Sequence, residues 1–217
     1  MSFPEFVGDD SSGDGTGISG VAVGIVSDNR DPEGQGRVKL TFPWREKRDE
    51  SHWARIAVPM AGSEVGTYFL PEVDDEVLVA FENGDIHYPF VVGALWNGQE
   101  PPPTSNESGS NDVRMIRTRS GHEVVLDDTE GAEAVEIRTG GGHLLRLDDA
   151  TGGETITITD TSEQNSVTFD STAGTLELRG GTTVKVSAPT VELAGDGNVS
   201  VEAGGILTLK GAMVKIN

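Results

Sequence analysis

The sequence has no cysteine, so disulfides, thiolate metal sites and cysteine nucleophiles are all excluded. Aromatic residues are scarce at 6%, and hydrophobic residues reach only 35%, thin for a chain built around one large globular core. No run of about 18 apolar residues occurs, so no helix is expected to cross a membrane. The opening residues, MSFPEFVGDDSSGDGTG, hold no basic region followed by an apolar run, which predicts synthesis in the cytoplasm without a secretory signal. Cations are few as well. Sixteen Lys and Arg, mostly Arg, stand against 36 Asp and Glu, a formal charge of −20. Such a chain repels phosphate backbones, so a nucleic-acid partner is not expected. The acidity is spread along the chain, which keeps β-surface from aggregating and also suits a high-salt cytoplasm.

What the sequence does have is glycine, 29 residues of it, and short apolar runs between turns. Residues 1–18 read as a flexible Gly/Ser/Asp arm carrying a small apolar patch, Phe3, Phe6 and Val7. Over 19–97 come five apolar runs, at 20–27, 36–42, 53–59, 76–82 and 90–96, with a longer connection between the third and fourth. The second alternates, with Val38, Leu40 and Phe42 against Lys39 and Thr41, and no stretch keeps a helical period. Five short strands in this length predict a small closed barrel of OB type. Three consecutive prolines and a Ser/Asn/Gly tract mark 98–112 as a linker.

Beyond it, over 113–217, the chain repeats. SGHEVVLDDTEGAEAVEIRT (120–139) is followed by GGHLLRLDDATGGETITITD (141–160) and a weaker NSVTFDSTAGTLELRG (165–180). Each reads as strand, turn, strand, with Val124 and Leu126 on one face, then Val135 and Ile137. After 181 the period shortens, with apolar pairs Val184/Val186, Val191/Leu193, Val199/Val201, Leu207/Leu209 and Val214/Ile216 between small or turn residues. A strand this short, with two inward side chains, cannot bury them alone. Three copies around a shared axis can, so the pattern predicts a homotrimer with an intertwined β-helix, against the alternative of a monomeric solenoid.

These stretches resemble a known family. GIVSDNRDPEGQGRVKLTFPW (24–44), WARIAVPMAG (53–62), LPEVDDEVLVAFENGD (70–85) and VVGALWNGQEPPP (91–103) resemble the barrel of phage baseplate assembly protein V and of VgrG spike proteins of type VI secretion. The repeats SGHEVVLDD and GGHLLRLDD and the ending LTLKGAMVKIN resemble that family's spike. The resemblance implies an all-β chain, an OB barrel followed by a trimeric β-helix spike, at the centre of a contractile baseplate. It implies no catalysis and no cofactor. The partners it implies are a separate hub protein and the tube end at the barrel, a PAAR-type tip protein at the far end, and the target membrane only on firing. Hub contact is expected from Phe3, Phe6 and Val7, and the tip platform from Gly211, Ala212, Met213, Val214, Lys215, Ile216 and Asn217. Assembly into a virion or an injection particle would carry the chain outside the cell.

His122 and His143 recur at one repeat position and share parity with Val124/Leu126 and Leu145/Leu147. On a threefold axis each would form a ring of three imidazoles that could hold a metal or anion, or simply close a core layer through water. Some spikes of the family carry an iron-binding His-x-His near the tip, but no histidine follows His143 here. Asp127-Asp128 and Asp148-Asp149 have the look of acid/base pairs. Adjacent strand residues point to opposite faces, however, and these fall at turns. Asp196-Gly197-Asn198 lacks the remaining ligands of a calcium loop. The alternative function is a polysaccharide-binding or -degrading tailspike, which needs a groove with converging carboxylates.

Overall fold

A computed structural model describes residues 18–45 and 50–216. Phe3, Phe6 and Val7 of the expected hub contact, and Asn217 of the expected tip platform, lie outside the described residues. The chain divides into two compact units, Met1–Ser105 and Asn106–Asn217.

In the first unit each apolar run supplies one strand of a five-stranded sheet. The strands are β1 (Val21–Asp28), β2 (Lys39–Thr41), β3 (Arg55–Ile56), β6 (Glu76–Phe81) and β7 (Pro89–Ala94), in spatial order β2-β1-β6-β7-β3. All neighbours are antiparallel except β3 and β7, which run parallel. A bridge between Val38 and Ala54 joins the leads into β2 and β3 and closes the circuit, as a five-stranded barrel of OB type requires. Strand alternation puts Val77, Val79 and Phe81 of β6 inside, where they meet Val26, Leu40 and Val91 in the core. The connection after β3 is not plain loop. It folds into a two-strand hairpin, β4 (Ala61–Gly62) and β5 (Val65–Gly66). The β1–β2 turn is organised by Asp31, whose carboxylate accepts the Arg37 guanidinium in two bonds (2.9 and 2.8 Å) and the backbone N–H groups of Glu33, Gln35 and Arg37. The Arg37 charge, with those N–H groups, holds the Asp31 carboxyl well below the usual carboxylate range.

The second unit is one antiparallel meander of seven five-residue strands, each paired with the next in sequence. These are β8 (Val113–Arg117), β9 (Glu123–Asp127), β10 (Ala134–Arg138), β11 (Leu144–Asp148), β12 (Thr155–Thr159), β13 (Ser166–Asp170) and β14 (Thr175–Arg179). Up to Arg179 the strands therefore pair within one chain. From 180 to 216 the described residues form no strand, and all but Gly180 are exposed.

Candidate assembly surface

Equal strand lengths and unbroken register align the repeat's side chains into rows that cross the whole meander. One row runs Arg114, Leu126, Val135, Leu147, Ile156, Phe169, Leu176. The next runs Ile116, Val124, Ile137, Leu145, Ile158, Val167, Leu178. The two rows lie two residues apart on every strand, so they share one face. Apart from Arg114 that face is entirely apolar. Much of this face is open among the described residues of the second unit: Ile137 is 48% exposed, Ile158 50% and Leu178 58%.

The opposite face mixes apolar residues over its first strands (Val113, Met115, Val125, Ala134 and Leu144) with charged ones. Arg146 donates from Nε to Asp148 (2.8 Å) and from Nη1 to Glu136, and Arg138 donates to the other Glu136 oxygen (3.0 Å). Further along, Thr155, Thr157, Thr159, Ser166 and Thr168 occupy it. A sheet with one drier face is normal, provided something packs on it.

The edges of the apolar face are tied turn to turn. At one edge the motif Thr-x-x-Gly-His repeats at 118–122 and 139–143. In both copies the Thr N–H donates to the His carbonyl and the His N–H to the Thr hydroxyl. Gly142 sits at φ +94, a backbone that L side chains rarely adopt. His122 Nδ1 accepts the Gly140 N–H (3.2 Å), and Thr161 donates its hydroxyl to the Gly141 carbonyl (2.5 Å), stitching successive turns together. At Gly140 a Cβ would lie against the Ser120 carbonyl oxygen, so the close approach of the two turns requires glycine. Both His122 and His143 are exposed and stand at this edge, in line with the polar turn residues that border the rows. Among the described residues, no group of three His or acidic side chains is arranged to hold a metal.

The opposite edge is acidic. Asp127 and Asp148 lie on the opposite face, while Asp128 and Asp149 rim the apolar one, with Asp128 ion-paired to Arg114 at 2.6 Å. Asp127 accepts the hydroxyl and N–H of Thr129, and Asp148 the N–H of Ala150 and the Arg146 guanidinium. These bonds lower both carboxyl pKa values. Carboxylates held ionised by their own turns make poor general acids.

Beyond the sheet the apolar pairs keep a regular signature: the first member of each is less exposed than the second. Val191 and Leu193 are 52% and 82% exposed, and Val214 and Ile216, in the expected platform, 53% and 86%. Gly211, Ala212, Met213 and Lys215 are exposed beside them, as are Asp196, Gly197 and Asn198 upstream.

Strand β8 escapes sequence reading, because its two residues on the apolar face are one cation and one aliphatic, Arg114 and Ile116. Its signal is register alone. The turn-to-turn bonds are likewise invisible in sequence, apart from the spacing of Gly140 and Gly142 from His122.

Comparison with known proteins bears on the first unit. Residues 22–96 match the family model described as the type VI secretion system/phage-baseplate injector OB domain. The chain is 32% identical over 119 residues to the actin cross-linking toxin VgrG1 of Vibrio cholerae, covering 48% of this chain and 11% of that protein. It is 32% identical over 108 residues to the type VI secretion system spike protein VgrG3 of Vibrio cholerae, covering 46% and 11%. With the spike protein VgrG1a of Pseudomonas aeruginosa it shares 30% over 114 residues, covering 47% and 18%. The matched region thus spans between a tenth and a fifth of these relatives' length. Over residues 22–96 the chain is thus similar to the type VI secretion and phage-baseplate injector OB domain, and over about half its length to VgrG spike proteins.

Proposed function

We propose that this chain is the central spike of a contractile injection machine and works as a homotrimer. Three meanders turn their apolar rows toward one axis, and the short-period stretch after 181 continues the needle by pairing its strands between chains. The observation that carries this reading is the exposed apolar face of β8–β14, opposite a face whose charged residues Glu136, Arg146 and Asp148 are satisfied by their own ion pairs. A patch of that size on a soluble protein marks a surface meant to be covered. Threefold self-association fits a repeat in which every strand presents the same two positions.

In this reading the barrel faces the hub and tube, with Phe3, Phe6 and Val7 reaching the hub protein. Gly211 to Asn217 form the platform for a PAAR-type tip, and sheath contraction supplies the work of piercing the envelope. The spike needs stiffness and no chemistry. The carboxylates Asp127 and Asp148, committed to their turns, support a mechanical part over a polysaccharide-cleaving tailspike. The test is genetic. Particles assembled without this chain should lack axial spike density by electron cryo-microscopy and fail to deliver, and the wild-type chain should restore both. Fully active particles without it would overturn the proposal.

A further inference from the structure

The barrel carries a cleft of about 480 Å³ that the spike role leaves unused. It lies over β2, β3 and the β6–β7 connection, the face on which OB barrels take oligonucleotides and oligosaccharides. Its composition runs against that of the chain. The lining holds three of the 16 Lys and Arg and two of the four His, but only one of the 36 acids, Glu82.

The cations differ in what they are free to do. Arg37 is clamped by Asp31, and Lys39 pairs with Glu50 at 2.9 Å while lying over the Trp53 ring. Arg55 makes no ion pair among the described residues. Its guanidinium sits 4.5 Å from the Phe90 ring centroid, stacked and exposed. Around it stand Tyr88, 57% exposed, and the paired rings of His52 and His87, 5.5 Å apart. His87 Nδ1 is engaged by Asp85 at 2.8 Å, so Nε2 is the ring atom left for a ligand.

A single guanidinium with no ion pair among the described residues matches one carboxylate, and it is far from the row of cations that a nucleic-acid backbone needs. An acidic peptide would dock by adding a strand to an open edge. Here the gap between β2 and β3 is closed by the reciprocal Val38–Ala54 hydrogen bonds (3.0 and 2.7 Å), so side chains and ring faces alone meet the ligand. The volume lies in the ordinary range for small-molecule sites.

The geometry points to a binding function of the barrel: the cleft formed by Trp53, Arg55, Tyr88 and Phe90 takes a carboxylate-bearing sugar ring of an acidic glycan. Arg55 meets the carboxylate, and Tyr88 with the two imidazoles meets the ring and its hydroxyls. This stands apart from the spike reading, since it concerns the barrel alone.

Calorimetric titration of the full chain tests it with four probes: a tetrasaccharide alternating glucuronate and N-acetylglucosamine, the uncharged N-acetylglucosamine tetrasaccharide, a Glu-rich peptide and a thymidine oligonucleotide. The uronate sugar should bind at least tenfold more tightly than the other three. Arg55→Met, which removes the guanidinium but keeps a long side chain, should weaken it roughly tenfold to a hundredfold, the worth of a charged hydrogen bond. Tyr88→Ala, at an exposed position, should also weaken it, with melting curves of both variants tracking the fold. No heat at millimolar uronate sugar overturns the proposal. So does equal or tighter binding of the neutral sugar, the peptide or the oligonucleotide, or wild-type affinity in both variants.

Discussion

Replacing Ile158 by lysine places a charge at the middle of the second apolar row, between Leu145 and Val167. Within one chain the change is mild, because the side chain is already 50% exposed and strand preference differs by only about 1 kcal/mol at most. In the proposed trimer the same side chain faces the axis. Each copy then loses about 1 kcal/mol of apolar burial and leaves an unpaired ammonium out of water at several kcal/mol. Summed over three copies, the penalty is on the order of 10 kcal/mol or more. Lysine also lowers the net acidity of each chain by one charge, so added long-range repulsion cannot explain dissociation. Thr157→Lys, one residue away on the opposite face, is the matched control. Light scattering at micromolar concentration should find Ile158→Lys dissociated and Thr157→Lys still trimeric. If both variants kept the wild-type mass, or both lost it equally, the assignment of faces would be wrong.

Gly140→Ala should destabilise the sheet unit by about 1–3 kcal/mol, since its Cβ meets the Ser120 carbonyl and two turns must separate. Gly153→Ala, whose nearest neighbour is the Ala150 carbonyl at 3.9 Å, should be close to neutral by the same thermal melt. Asp31, depressed in the folded barrel, contributes stability that is present above its unfolded pKa of about 3.9 and fades as pH falls below it. Acid titration of barrel unfolding should therefore steepen below about pH 4, and Asp31→Asn should flatten that limb. Ending the chain at Gly180 should keep the β-signal of the meander in circular dichroism, because its ladders close within the chain, and should abolish capture of a PAAR-type tip protein.

Much of the fold is legible in the sequence. Alternation in VKLTF gives β2, the apolar run in EVLVAF gives β6, and the equal parity of Val124/Leu126 and Val135/Ile137 becomes two cross-strand pairs in one apolar face. What sequence does not carry is contact between distant segments. The cleft draws on residues near 37, 52, 82 and 88, brought together only when the barrel closes. The β4–β5 hairpin is missed because two-residue strands have no period to detect. Nothing in the sequence marks Arg37 as the residue that locks the turn begun by Asp31.

Sedimentation equilibrium of the wild-type chain at micromolar concentration bears most directly on the whole account. Burial of the apolar rows between copies predicts a single species near three times the 22.9 kDa chain mass. A folded species at the mass of one chain, with its meander intact by circular dichroism, would contradict it.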